Sequence, residues 1–413
     1  MIYKPGLRVG LVCPQVLRLI VYLVIVWFEI KGFSSSGISK KENLVMQNFS
    51  SINMKAGINT IPLGSVPEDT AIALYKAMLR VRMIEEALIS EYHPADEIRC
   101  PVHFCLGQEA VSAALSFLVK DEDYIFSHHR SHGYYLGKNA PLRALFSELY
   151  GRETGANGGK AGSQDISYSD KHFYSGAILS GATSISVGTA FALKYKKLPY
   201  AAIAGFGEGA TDEGVFWETV NFAALHSLPL LLICENNYYA TYSPMSKRMA
   251  VENIAQKVGA FGGKNHSVFG NDILSVYMSI SNALEEIRSG GGPVFIEVFT
   301  YRNNSHVGPE DDSYIGYRSA EEMAFWKAND PIVLIEEKLG ADMIARLRPG
   351  FEHDIKTEID DAFKFAKESA FPATSDWQML NYHPETPLAD SLLKEFASGN
   401  FNQDQKDHIP GPY

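Results

Sequence analysis

Residues 207–237 read GEGATDEGVFWETVNFAALHSLPLLLICENN, and the organisation of the chain follows from them. The run just before, AAIAGF at 201–206, is short, apolar and ends in glycines, as a strand buried on both faces of a parallel sheet does. From Asp212 to His226, Phe216, Val220 and Ala223 recur at spacings of four and three, which puts them on one face of a helix. LPLLLICENN at 228–237 is then a second buried strand with a polar tip. Gly207, Glu208 and Gly209 end the first strand, and Glu235, Asn236 and Asn237 end the second. Glycines let a ligand approach the backbone closely, and a helix N-terminus just beyond is an anion site. A carboxylate and an amide oxygen facing one crevice are hard-oxygen donors suited to Mg²⁺ bridging phosphate oxygens. A glycine-rich turn alone is a weak signal. Its pairing with Asn237, 29 residues after Glu208, is more specific.

Outward from this unit the same alternation continues. Pro67 and Glu68 follow Ser65 as a helix start, with apolar residues at helical spacing through Leu88. GQEAVSAALSFLV (107–119) and residues 273–289 read as helices, and PVFIEVFTYR (293–302) as another strand. Strands alternating with helices predict an α/β fold, a mostly parallel sheet with helices on both faces. Ligands of such sheets sit beyond the carboxyl ends of the strands. We expect a domain over 61–371, an extension over 1–60 and a proline-rich tail over 372–413. Residues 9–28 are strongly apolar and admit three readings: a signal-like segment, a membrane anchor, or sequence upstream of a start at Met46 or Met54. An extension ahead of a soluble domain is preferred.

A chain of 413 residues, 46% hydrophobic and 12% aromatic, with a net charge of −11, has material for a full core and repels nucleic-acid backbones. Cys13, Cys100, Cys105 and Cys234 are scattered, which fits a reducing, cytoplasmic setting rather than a disulfide framework. Cys100, His103 and Cys105 lie within six residues, but three ligands without a second pair do not make a zinc site.

A GDG-type turn followed 25–30 residues later by NN is the thiamine-diphosphate motif, and residues 207–237 resemble that stretch in the α subunits of 2-oxo-acid dehydrogenase E1 components of pyruvate, branched-chain and acetoin type. The resemblance runs from about Ala71 to Ile332. It includes HFCLGQEA from His103, FSHHRSHG at 126–133, KAGS at 160–163, FYSGAILSGA at 173–182 and TYRNNSHVGPEDD at 300–312. It implies the thiamine-diphosphate-binding fold and a role for each matching residue. Glu208 and Asn237, with the carbonyl of Tyr239, would ligate Mg²⁺. Gly207, Gly209 and Ala210 would border the diphosphate, and Arg130 and Arg302 would neutralise it. His129 stands where the family commonly has tyrosine. Ile178 and Ser180 would meet the aminopyrimidine through backbone atoms, and His306 and His103 would flank the reacting carbon and the substrate. Taken singly, each arginine reads as an ion pair and each histidine as a structural or capping residue; their joint order carries the resemblance. The activating glutamate would come from a β subunit in an α₂β₂ assembly. The substrate would be a 2-oxo acid, pyruvate first, and the acyl acceptor lipoyl-E2.

Three departures stand out. Glu208 replaces an aspartate, one methylene longer. Gln164 and Asp165 follow Gly162-Ser163 where the family has GGS-x-His. Val307 replaces a serine phosphorylated in some mitochondrial members, which removes that regulation. These leave three readings: a housekeeping E1 α subunit, a biosynthetic relative passing its acyl or aldehyde unit to a non-lipoyl acceptor, and a non-catalytic α-like protein. The stretches 235–244 and 311–319 lean toward the outlying members.

Overall fold

The computed structural model describes residues 60–373 except 96 and 99, together with residue 394. The readings of residues 1–59, the apolar segment 9–28 among them, and of nearly all of the tail lie outside the described residues. Among those described, no helix is long and apolar enough to cross a membrane.

The α-helices with bounds among the described residues are α1 (Glu68–Ala95), α2 (Glu109–Leu118), α3 (His132–Gly137), α4 (Leu142–Leu149), α5 (Gly181–Tyr195), α6 (Gly214–Leu225), α7 (Met245–Arg248), α8 (Ile254–Gly259), α9 (Ile273–Arg288), α10 (Ala320–Ala328), α11 (Pro331–Leu339) and α12 (Ala341–Glu368). The strands are β1 (Tyr124–Ser127), β2 (Ser167–Tyr168), β3 (Phe173–Ser175), β4 (Ala202–Gly207), β5 (Leu230–Asn236), β6 (Tyr239–Ala240), β7 (Ser243–Pro244), β8 (Lys264–Phe269) and β9 (Val294–Phe299). Helix α1 starts where expected, with Glu68 and Asp69 in its first turn, where negative charge suits the helix dipole; it runs on to Ala95 rather than stopping at Leu88.

Seven strands form one sheet in the order β2-β3-β1-β4-β5-β9-β8, and β6 pairs with β7 apart from it. Every pairing in the sheet is parallel except β2 with β3. Helix α5 packs on β4 and β1, α9 on β8 and β9, and α12 on α4 and α1. Leu230, Leu231, Leu232 and Ile233 of β5 are all buried. Each stabilises the fold by about 1.5–3 kcal/mol, enough together to hold a polar strand end in the interior.

The register sets the position of that end. Gly207 of β4 lies opposite Glu235 of β5, and Asn236 lies opposite Phe299 of β9, so the two polar tips finish flush. The chain passes from β1 to β3 on one side and then crosses to β4 on the other. The strand order therefore reverses between β1 and β4, the place where a doubly wound sheet opens a crevice. Between β4 and α6 the structure inserts a tight 3-10 turn, Glu208–Asp212. The helix expected from Asp212 begins at Gly214, which leaves Glu208 to Asp212 as a separate turn over the strand end.

Candidate active site

A cleft of about 310 Å³ opens at this reversal, lined by residues from the ends of β1, β4 and β5 and from four further segments. Its floor is the pair of strand tips. Glu208 is 1% exposed, and Asn237 and Tyr239 line the same cleft. The turn after β5 is fixed by its own side chains: Tyr238 N–H donates to Asn236 Oδ1 at 3.0 Å, and Tyr238 takes a left-handed φ of 70°. Asn237 Nδ2 donates to Gln108 Oε1 at 3.3 Å, and Gln108 Nε2 donates to Glu235 Oε1 at 3.4 Å. Asn237 Oδ1 accepts from Tyr239 N–H at 3.3 Å. A Cβ on Gly209 would come 2.9 Å from Ala240 Cβ, so only glycine lets the two turns approach this closely. Ser180, left-handed at φ 56°, bonds Ala210 O through its hydroxyl at 2.6 Å and ties the loop bearing Ile178 to the floor.

Glu208 already holds a cation. Arg248 Nη2 lies 2.5 Å from its Oε1, and Arg248 Nη1 bonds Asp212. Burial pushes the Glu208 carboxyl up to about 7, with Arg248 pulling it down again.

Opposite the floor stands a wall of imidazoles. The ring of His103 lies 4.4 Å from that of His129 and 4.9 Å from that of His306, and His129 and His306 are 5.3 Å apart. The backbone explains the meeting. Asn303 N–H donates to Leu106 O at 2.9 Å, and Gly308 N–H donates to Val102 O at 2.8 Å. The segment 303–308 is thus tied at both ends to 102–106, and His306 faces His103. His129 arrives from the end of β1. Burial and the adjacent Arg130 hold His306 down at about 3, and burial likewise holds His103 and His129 well below the usual histidine range. All three are neutral imidazoles at neutral pH.

Arg130 lines the cleft, its guanidinium bonded to Phe104 O and, at 3.2 Å, to His306 O. Arg302 does not reach the lining. It is 1% exposed, and its guanidinium donates to Thr241 O at 2.6 Å, Tyr317 Oη at 2.8 Å and Asn304 O at 2.9 Å, with Asp312 at 3.5 Å. In this structure it props the turn after β6. The other expected residues, His103, His129, Arg130, Ile178, Ser180, Gly207, Glu208, Gly209, Ala210, Asn237, Tyr239 and His306, all border one cleft.

Residues 75–375 match the family model described as dehydrogenase E1 component. The chain belongs to that family. It is 32% identical over 313 residues to the α subunit of acetoin:2,6-dichlorophenolindophenol oxidoreductase of Bacillus subtilis, covering 76% of this chain and 93% of that one. It is 32% identical over 307 residues to the pyruvate dehydrogenase E1 component α subunit of Rhizobium meliloti, covering 73% and 87%. The 2-oxoisovalerate dehydrogenase α subunit of Bacillus subtilis is 32% identical over 279 residues, covering 66% and 82%. The protein is an E1 α-type chain of the 2-oxo-acid dehydrogenase family, with the α/β architecture read from its sequence.

The floor of this E1 chain fits a diphosphate and its Mg²⁺. The carboxylate of Glu208 sits against a cation, and Asn237 Oδ1 has one long hydrogen bond. A Cβ on Gly207 would meet nothing within 4 Å, so there is open space over the turn. Carboxylate, amide and carbonyl oxygens are the donors a hard ion takes.

Five neighbours escape the sequence reading as site residues: Gln108, His128, Gln164, Glu235 and Arg248. Gln108 and Glu235 sit inside stretches that carry the resemblance, and Gln164 Nε2 reaches His103 Nδ1 at 3.4 Å. Arg248 had no sequence signal; only the fold of the turn after β5 brings it back to Glu208. The loop bearing Gln164 is braced from below. Glu148, 1% exposed, accepts N–H bonds from Asn157, Gly159, Ala161 and Gly162 at 2.7, 2.9, 2.7 and 3.2 Å. Ser163 Oγ lies 2.8 Å from His132 Nε2, whose Nδ1 is 2.7 Å from Glu85. These are the atoms of a catalytic triad, but all three residues are fully enclosed, and they serve to pin the loop.

Beside the cleft, α5 with the loop before it and α6 present an apolar ridge. Ile178 is 77% exposed and Tyr195 81%, with Ile185 and Leu225 similarly bare. Large patches of this kind mark association surfaces.

Proposed function

We propose that this chain is the α subunit of a thiamine-diphosphate- and Mg²⁺-dependent enzyme that oxidatively decarboxylates a 2-oxo acid, pyruvate first among them, and passes the acyl unit to lipoyl-E2. The observation that supports it most is the flush pair of strand tips, Glu208 and Asn237, in one cleft with His103 and His306. On this reading Glu208, Asn237 and the carbonyl of Tyr239 hold Mg²⁺, and the backbone of Gly209 and Ala210 with Arg130 holds the diphosphate. The bound cofactor supplies a nucleophilic carbon and an electron sink. This chain's residues orient and exclude: Ser180 fixes the loop bearing Ile178, and neutral His306 stands ready to accept or donate a proton at the substrate oxygen. The activating glutamate belongs to a β subunit, and the bare ridge of α5 and α6 is the surface that such a partner covers in an α₂β₂ assembly. The unpaired cysteines, Cys100, Cys105 and Cys234, suit a cytoplasmic enzyme.

A biosynthetic reading, with a non-lipoyl acceptor, draws on the substrate side. Asp165 and His129 replace the family's usual histidine and tyrosine there, and the relatives include an acetoin oxidoreductase. Co-expression with a β-type chain, followed by a screen of 2-oxo acids and acetoin against an artificial electron acceptor, separates the two. Turnover of pyruvate with transfer to a lipoyl domain supports the first. Turnover without lipoyl transfer supports the second. Calorimetry of that complex with thiamine diphosphate and Mg²⁺ that registers no binding would sink both.

A further inference from the structure

We infer that Gln108 is a positioning residue of the floor: its side chain, held by Glu235, turns the Asn237 amide so that oxygen rather than nitrogen faces the ion. This role rests on the proposed reading of Asn237 as a metal ligand, and it gives a task to a buried amide that the reading leaves idle. An asparagine side chain ends in one oxygen and one NH₂ of nearly the same shape, and only the oxygen binds a hard cation. The floor therefore needs something that tells the two ends apart. Gln108 is 4% exposed and lines the cleft beside Asn237 and Glu235. Its Nε2 donates to Glu235 Oε1 at 3.4 Å, and its Oε1 accepts from Asn237 Nδ2 at 3.3 Å.

The sense of this chain of bonds is set at its far end. A carboxylate only accepts, so Gln108 offers Glu235 its NH₂ and is left with its oxygen toward Asn237. Asn237 answers with its own NH₂, which leaves Oδ1 on the other side. There Oδ1 accepts from Tyr239 N–H at 3.3 Å, and an amide oxygen keeps a second lone pair for the ion. Both bonds through Gln108 are long, so their value lies in direction more than in strength. The backbone under Gln108 gives that direction a fixed origin. Gly107 is left-handed at φ 89°, where a Cβ would come 2.4 Å from Tyr301 O. Its N–H donates to Glu109 Oε1 at 3.0 Å, and its carbonyl accepts from Thr300 Oγ1 at 3.1 Å. Gln108 N–H donates to Cys105 O at 2.9 Å. Glu109 is held in turn by Arg82 Nε at 2.5 Å. A side chain on so firm a base can orient a ligand without touching the ion.

The test measures Mn²⁺ binding to the assembled complex with a β-type chain and thiamine diphosphate, from the electron paramagnetic resonance signal of the free ion. Mn²⁺ takes the same oxygen donors as Mg²⁺. Gln108→Met keeps the size and removes both bonds, and should weaken binding by at least about tenfold; Gln108→Leu stands in for it if it does not fold. Gln108→Glu keeps an acceptor toward Asn237 Nδ2 and should stay within about threefold of wild type. Its second buried carboxyl beside Glu235 should nonetheless lower the thermal midpoint more than methionine does. Affinity and stability then rank the two variants in opposite orders, whereas a residue that only fills space would rank them alike. Asn237→Asp supplies oxygen whichever way it turns, so Gln108→Met added to it should cost less than about twofold. If Asn237→Asp does not fold or bind, the single variants decide. Three results overturn the orienting role while leaving the metal ligands standing: Gln108→Met binding as tightly as wild type, Gln108→Glu binding no better than Gln108→Met, or an equal cost of Gln108→Met with Asn237 and with Asp at that position. A wild-type complex that takes up no Mn²⁺ sinks the metal reading itself, and the role of Gln108 with it.

Discussion

On the floor of the cleft, Glu208 and Asn237 sit at the ends of adjacent strands joined by six paired residues, with Glu208 on the turn directly after β4. On the wall, His103, His129 and His306 come from three segments far apart in sequence, tied by a few backbone bonds between 102–106 and 303–308. The floor is set by register: slipping β5 by one residue turns every side chain to the other face. The wall is set by loop closure, and the loop bearing Gln164 beside it depends on Glu148. One region couples its chemistry to the core, and the other to its loops.

The largest effect should come from breaking the floor. Glu208→Ala is expected to abolish thiamine diphosphate and Mg²⁺ binding by the assembled complex in calorimetry, while Glu208→Asp keeps or tightens it. Equal affinity in all three proteins would remove Glu208 from the metal site. Next comes the brace of the loop beside the wall. Glu148→Ala removes four charge-assisted bonds, each worth about 1.5–3 kcal/mol, although water and relaxation recover part. A loss of roughly 3–5 kcal/mol in denaturant unfolding is expected, with faster amide exchange at 157–162 and unchanged exchange in β4 and β5. Uniformly faster exchange would show that wall and floor are one cooperative unit.

The two regions should also diverge with pH. Burial raises Glu235 to about 7 from the usual 4.5, so the folded chain binds a proton more readily than the unfolded one. That contribution to stability is full below about 4.5 and is lost as pH rises through 7, at up to roughly 1.4 kcal/mol per pH unit. His306 shifts the other way, down to about 3 from 6.5, so its contribution is present above 6.5 and lost as pH falls toward 3. Glu235→Gln should flatten the decline above 4.5, and His306→Asn the acid limb; a stability curve unaltered by either excludes these groups. The smallest effect is set by Arg248. Arg248→Gln frees Glu208 from its guanidinium, and Mg²⁺ affinity should rise several-fold. Unchanged or weaker binding would mean that the arginine positions Glu208 rather than competing for it.

The floor was legible because β4, α6 and β5 are contiguous in sequence and each announces itself, the strands by unbroken apolar runs and the helix by its periodicity. Their polar tips fall at fixed positions on that pattern. The wall was legible only through the resemblance; nothing in the spacing of His103, His129 and His306 brings them together. Arg248 was invisible because its approach to Glu208 depends on left-handed turns at Tyr238 and Thr241, neither of them a glycine. Arg302 matched its motif, yet its buried bonds to Thr241 and Tyr317 follow from loop packing that no local pattern records.

In the proposed assembly, the bare ridge of α5 and α6 has a cost for the cell as well as a use. A subunit made faster than its partner exposes Ile178, Ile185, Tyr195 and Leu225 to every other newly made chain, and such surface is prone to aggregation. Balanced synthesis of the two chains then becomes a requirement of solubility, and soluble yield should track the supply of partner more closely than the intrinsic stability of this fold.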